Sequence, residues 1–332
     1  MTMPAGSLPV VNLGRSGLRV SRLCLGTMIF GSQIDEAAAF SVMDRAWDGG
    51  IEFFDTADAY PVPPQLETAG RTEEIVGRWI KSRGRRSCVL ASKCAARVGP
   101  GPNDLGGGRK HVIEACEASL RRLGRDRLDI FYMHHSDLNA PLEETLEALD
   151  RLVDAGKVHY IGLSNFEAAK LGLAISIAAE RRLARIAVLQ PRYNLLARSP
   201  ERDLIPLCLE SGIGVVPYNP LGAGMLTGKY RRGDNPPEAS RFALGEYGRM
   251  YRERYWSDQM FEVAEAVVEV ARELGATPAQ IALAWLLSRP GVTAPIVGAS
   301  RPEQLDDSLG AFGVELGQEH LDRLERVSQP FV

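Results

Sequence analysis

Short apolar runs separated by helical stretches recur roughly every 30 residues from residue 23 to the C-terminus. The runs fall at 23–27, 51–55, 88–92, 128–134, 158–163, 187–190, 214–218 and 293–297. They hardly alternate between polar and apolar residues, as expected of strands covered on both faces. Between them the apolar spacing predicts helices over 35–47, 72–81, 110–123, 142–155, 166–182, 204–210 and 259–274, one starting at Thr277-Pro278, and two more over 302–309 and 318–327. Glu73 and Glu74 fall in a first turn, where the helix dipole favours acids. Ser164-Asn165 is the expected cap of the helix after it, and Thr277-Pro278 has the order of an N-cap and a first helical residue. Two apolar runs around Gly14–Gly17 predict a β-hairpin over 10–20, and residues 1–7 read as a loose start. Such a β/α alternation fits a (β/α)₈ barrel or an open doubly wound sheet. No linker or composition break divides the chain, which favours one α/β domain over 1–332, a (β/α)8 TIM barrel with an N-terminal hairpin and an extra C-terminal helix. Only 220–256, rich in Gly, Pro, charge and aromatics, breaks the rhythm; a segment this long is expected to be an active-site or cofactor loop region.

Composition narrows the function. A formal net charge of -3 over 332 residues argues against a nucleic-acid binder, which would carry a basic stripe. The five cysteines show no C-x-x-C spacing and read as reduced thiols. There is no signal-peptide pattern, and no apolar run reaches the ~20 residues that span a bilayer, so the expectation is a cytoplasmic protein without a membrane partner.

In a barrel of this kind the reacting groups sit at the C-terminal ends of the strands. The run at 51–55 ends with Asp55 and leads to Tyr60; the next leads to Lys93; the next ends at His134-His135. Three consecutive strands would thus bring an acid, a phenol, an ammonium and an imidazole to one rim. A free phenol, with a pKa near ~10, holds its proton too tightly for efficient transfer at neutral pH. A nearby ammonium lowers that pKa, and a carboxylate can hold the ammonium charged and in place. A neutral histidine can orient a carbonyl oxygen. This set suits protonation of an oxygen on which negative charge develops, as in hydride addition to an aldehyde or ketone. A metal-dependent hydrolase would need several rim ligands, but of five histidines only the adjacent pair ends a strand, and no H-x-H or H-E-x-x-H occurs.

These segments resemble the aldo-keto reductase superfamily over nearly the whole chain. F-D-T-A-D-A-Y supplies Asp55 and the catalytic Tyr60, A-S-K supplies Lys93, and D-I-F-Y-M-H selects His134 rather than His135. Residues 156–166 are similar to another family signature, with His159 where arginine is common. No Rossmann-type fingerprint occurs. Residues 218–230 instead resemble the family's Y-x-P-L-G-x-G-x-L-T-G-K-Y loop. The resemblance implies NADP(H) as cofactor. Tyr218 would stack on the nicotinamide, Ser164, Asn165 and Gln190 would hold its carboxamide, and backbone groups around Leu221 and Gly222 would reach the pyrophosphate. Gly26, Thr27, Met28, Asn219 and Pro220 complete that end of the implied site. Gly298, Ser300 and Arg301 precede a helix and would receive the 2′-phosphate; a helix N-terminus and a planar guanidinium both suit that dianion. Gln304 and Asp307 would lie near the adenosine, while Ser308 stands where asparagine is usual.

The implied substrate is a small-molecule carbonyl compound. Residues 28–30, the insertion at 61–70 and the 220–256 segment would line its pocket, with Phe30, Trp79, Tyr247, Tyr251, Tyr255 and Trp256 as wall candidates that could equally be packing. The insertion resembles a bacterial branch of the superfamily. The potassium-channel β subunits also resemble this family, so a nucleotide-sensing regulatory subunit with little turnover is the alternative. A homo-oligomer stays open.

Overall fold

A computed structural model describes residues 8–85, 87–238 and 240–332. The loose start expected at 1–7 lies outside the described residues. In chain order the strands are β1 (Val10–Asn12), β2 (Arg19–Ser21), β3 (Cys24–Gly26), β4 (Phe53–Asp55), β5 (Val89–Cys94), β6 (Leu128–Met133), β7 (Val158–Ser164), β8 (Ile186–Gln190), β9 (Gly214–Val215) and β10 (Ile296–Gly298). The helices are α1 (Glu36–Asp48), α2 (Arg71–Arg83), α3 (Arg109–Leu123), α4 (Leu142–Asp154), α5 (Ala168–Glu180), α6 (Leu204–Ser211), α7 (Gly245–Tyr255), α8 (Asp258–Leu274), α9 (Pro278–Leu287), α10 (Glu303–Gly310) and α11 (Gln318–Val327).

Eight strands form one sheet in the order β10-β3-β4-β5-β6-β7-β8-β9, and every ladder is parallel. The two ends of that order meet. Thr293 N–H donates to Val215 O at 2.7 Å and Ile296 N–H to Pro217 O at 2.8 Å, which closes the sheet into the (β/α)8 barrel. Closure leaves no edge to pair with another chain.

Two apolar layers follow from the strands' lack of alternation. Inside the barrel lie Cys24, Phe53, Ala91, Ile130, Tyr132, Val188 and Val216. Outside it the helices cover Leu25, Phe54, Leu90, Phe131, Leu163 and Leu189. Gly162 makes the interior fit, since a Cβ there would collide with the ring of Tyr132. The hairpin β1-β2 plugs the N-terminal end, with Leu13 and Val20 joining the interior cluster. Gly14, at φ +55°, brings its turn against the start of β9, where a side chain would strike the Gly214 backbone. A third cluster joins the 222–261 segment to α8, α9 and α11.

Two local expectations fail. The cap of α5 is Glu167, two residues beyond Ser164-Asn165, whose side chains turn toward the neighbouring strand ends instead. The 220–256 segment is not one long loop. It holds a short turn of helix at Gly222–Thr227, another at Arg241–Ala243, and α7. Thr277 caps α9 with Pro278 first in the helix, as the sequence predicts; the structure adds an Asp35 cap on α1 and a capping box between Thr277 and Gln280.

Candidate active site

The parallel register places Asp55, Lys93 and His134 at neighbouring strand ends on one rim. Lys93 is wholly buried, so its ammonium must be paired. It donates to Asp55 Oδ1, to Thr56 O at 2.8 Å and, at a long 3.5 Å, to the Tyr60 hydroxyl. The other Asp55 oxygen accepts from Gln190 Nε2 at 2.8 Å. Tyr60 follows Asp55 by a turn in which its N–H donates to Ala57 O, and its ring meets His134 edge-on, centroids 5.8 Å apart. The four side chains read from separate sequence segments therefore form one group.

Electrostatics in that group run partly against expectation. Burial works against the Lys93 ammonium, but Asp55 and then Tyr60 outweigh it and hold the lysine above its ordinary value. Burial pushes the Tyr60 phenol up and Lys93 pulls it down; burial wins, so the phenol lies above its usual value rather than below it. Burial, with Lys93 and His135 adding to it, holds His134 well below the ordinary histidine range. Its Nδ1 has no hydrogen-bond partner among the described residues. A neutral ring without an acceptor at Nδ1 keeps its proton on Nε2, where it can donate.

Beside this group a second one closes on itself. Ser164 Oγ donates to Gln190 O at 2.9 Å, and Asn165 Nδ2 donates to His134 O at 2.8 Å and to Ser164 Oγ at 3.1 Å. Tyr218 OH donates to Asn165 Oδ1 at 2.8 Å. The expected carboxamide contacts Ser164, Asn165 and Gln190 are thus together, but the Gln190 amide N–H points to Asp55. Thr27 also serves this rim, its hydroxyl donating to Asp55 O at 2.9 Å. Gly26 ends β3 beside β10, and Met28 O accepts from Val62 N–H, joining the loop after β3 to the insertion after Tyr60.

The loop after β9 is a tight cradle. Asn219, Gly222, Ala223 and Gly224 all have positive φ. The Gly222 N–H, expected to be free for a phosphate, donates to Asn219 O at 3.0 Å, because the turn consumes it; Ala223 N–H goes to Asn219 Oδ1. Leu221 N–H makes no backbone hydrogen bond among the described residues. Pro220 is buried beneath this cradle.

At the far end, Ser300 N–H and Oγ both donate to Gln304 Oε1, and Asp307 Oδ1 accepts from Thr277 Oγ1, so neither Gln304 nor Asp307 is free of protein partners. Arg301 is exposed and pairs loosely with Glu303 at 3.7 Å. Two residues missed by the sequence reading join it. Arg241 reaches to 3.6 Å from where a Gly298 Cβ would stand, and Lys229 lies against Gly224. Burial, then Arg241, then Arg301 lower the Lys229 ammonium. Three cations crowding one another favour an anion, so this end fits the phosphates of a dinucleotide. Lys229 lies within the loop motif itself; Arg241 had no local signal, since only the fold brings 241 to 298.

Among the wall candidates, Phe30 is core, and Trp79 packs on Trp47 and Phe54 and donates to Asp44 at 2.8 Å. Trp256 packs among Tyr230, Phe242 and Phe261, and Tyr255 takes a hydrogen bond from Asn219 Nδ2. Tyr251 is buried on α7, its ring edge-on to Phe242. Among the described residues no group of three or more possible ligands is arranged to hold a metal, and no helix is long and apolar enough to cross a membrane.

Fold and site together define a barrel with a buried acid-lysine pair behind a rim tyrosine. The sequence profile of the aldo/keto reductase family matches residues 22–329, and the chain belongs to that family. It is 40% identical over 322 residues to the uncharacterized oxidoreductase YrpG of Bacillus subtilis, covering 95% of this chain and 94% of the relative. It is 39% identical over 323 residues to a probable voltage-gated potassium channel subunit beta of Arabidopsis thaliana, covering 96% of each. Protein tas of Escherichia coli is 36% identical over 341 residues, with 95% of this chain and 96% of the relative covered. Family and relatives together support an oxidoreductase, and the family generally uses NAD(P)H.

Proposed function

We propose that the chain is an NADPH-dependent reductase of aldehydes or ketones, with Asp55, Tyr60, Lys93 and His134 as its catalytic residues. The observation that carries this reading is the buried Lys93 ammonium, fixed by Asp55 and reaching the Tyr60 hydroxyl. A reduced nicotinamide dinucleotide, when bound, supplies the hydride. Tyr60 gives its proton to the oxygen that becomes the alcohol, and Lys93 stabilises the phenolate left behind. Asp55 keeps Lys93 charged and in place, and Gln190 keeps Asp55 in place. His134, neutral, donates from Nε2 and orients the carbonyl oxygen.

Tyr218, with Ser164 and Asn165, would frame the nicotinamide end, and Gly26, Thr27, Met28, Asn219, Pro220 and Leu221 would line its approach. Lys229 and Arg241 would hold the pyrophosphate, with Gly222 giving the cradle its turn rather than a donor. Gly298, Ser300 and Arg301 would receive the 2′-phosphate, and Gln304 and Asp307 would border the adenosine. A second reading is favoured by the Arabidopsis relative, which is named a channel β subunit: a nucleotide sensor with little turnover.

Steady-state oxidation of NADPH against a panel of aldehydes and ketones separates the two. Turnover with several carbonyls is the expected result. Tight NADPH binding with no turnover across the panel would favour the sensor.

A further inference from the structure

The insertion at 61–70 leaves the chain at Tyr60 and returns to it. Gly70 N–H donates to Tyr60 O at 3.1 Å, while Tyr60 N–H donates to Ala57 O at 3.2 Å. Gly70 is also the N-cap of α2, buried and at φ +84°. Arg122, near the end of α3, covers it: a Cβ on Gly70 would stand 2.5 Å from both Cδ and Nε of that side chain. About two turns further along α2 a Cβ on Gly77 would stand 2.6 Å from Arg122 O. The start of α2 therefore rests on one residue of α3 at two points.

Glu73 keeps Arg122 from swinging away. It lies in the first turn of α2 and is wholly buried, so its carboxylate must be paired. Its Oε2 accepts from Arg122 Nε at 2.7 Å and Nη2 at 2.6 Å, and its Oε1 accepts from Ser92 Oγ at 2.5 Å. Ser92 precedes Lys93 on β5, and its side chain leaves the strand on the opposite face. Glu73 thus ties α2, α3 and β5 together behind the Tyr60–Lys93 pair. Replacing a buried ion pair by apolar residues often costs a fold nothing, so such a pair points to geometry more than to stability. The geometry at stake is narrow. The Tyr60 hydroxyl lies 3.5 Å from Lys93 Nζ, at the limit of a hydrogen bond, and a small outward shift of Tyr60 breaks that contact.

We propose that Arg122 and Glu73 are positioning residues: through Gly70 they fix the backbone of Tyr60, and so the reach of its hydroxyl to Lys93. The proposal rests on the reductase reading for the proton that Tyr60 gives, whereas the hold on the insertion is a property of the fold alone.

The test compares Arg122→Met with a double variant, Arg122→Met and Glu73→Gln together. The double variant removes the buried charge that the single one leaves unpaired, and so keeps the test available should the single one fail to fold. Hydrogen–deuterium exchange read by mass spectrometry should quicken by about 10-fold or more over 60–70 and by far less over β6. In the same variants kcat for carbonyl reduction should fall by about 10-fold or more, with KM and the Kd of NADPH within about 2-fold. A purely structural pair would lower the urea midpoint and leave kcat alone. Unchanged exchange over 60–70, unchanged kcat in a folded variant, or a loss of kcat matched by a loss of NADPH affinity would overturn the positioning role. Quickened exchange over 60–70 with no carbonyl turned over by the wild type would leave the hold on Tyr60 standing and count against the reductase reading alone.

Discussion

At the level of single residues the site is a set of burial costs met by specific partners. Lys93 and Asp55 are each other's compensation. Lys93→Met should therefore destabilise the fold by about 3–5 kcal/mol, because it leaves a buried carboxylate without its counter-charge. Adding Asp55→Asn should recover part of that loss, which urea unfolding of the single and double variants would measure. Asp58 is the opposite case. Both its carboxylate oxygens are buried without a hydrogen bond among the described residues, and burial, with Glu73 adding to it, pushes it well above the usual carboxylate range. A carboxyl raised in the folded state contributes stability below its unfolded pKa near ~3.9, and that contribution is lost as pH rises through the folded value. Asp58→Asn should thus stabilise the protein, and by more at about pH 7.5 than at about pH 5. His134 has the other sign. Its lowered value means stability fully present above ~6.5 and lost as pH falls toward the folded pKa. Replacing it with Gln should flatten the acid limb of the unfolding midpoint.

Most elements were readable in the sequence because each carries its own signal. The apolar runs became β3 to β10, with β3, β4, β9 and β10 shorter than their runs, and Thr277 caps α9 ahead of Pro278. What was missed is α7. Its buried face is Gly248, Tyr251 and Tyr255, a helical spacing hidden by two glycines and by charges on every side. Gly248 belongs there, since a Cβ would meet the Phe242 carbonyl at 2.6 Å. Gly248→Ala should therefore cost about 1–3 kcal/mol or tilt α7, and with it Tyr251 and Tyr255 on its buried face. A rise in KM with kcat nearly unchanged would mark that tilt. The cap assigned to Ser164-Asn165 failed for a related reason. Local sequence offered a cap, but His134 O and Gln190 O at the adjacent strand ends were better partners for those side chains.

Across the whole molecule the barrel converts sequence distance into one rim. Asp55, Tyr60, Lys93 and His134 could be read in advance because each ends or follows a recognisable strand. The gathering of Lys229, Arg241 and Arg301 could not, since it depends on how the 222–256 segment folds back over β10. Its consequence is measurable. With Arg301 as the receiver of the 2′-phosphate, Arg301→Ala is expected to weaken NADPH binding by about 10-fold or more while changing NADH binding little, since NADH lacks that phosphate. Equal losses for the two nucleotides would refute that assignment.

The most direct measurement compares wild type and Tyr60→Phe in two quantities: kcat for carbonyl reduction and the Kd of NADPH. With Tyr60 as the proton donor, kcat falls by at least about 100-fold while Kd stays within about 2-fold. A variant that still turns over at close to the wild-type rate would contradict the assignment of Tyr60, and with it the reading of the buried Lys93-Asp55 pair as its support.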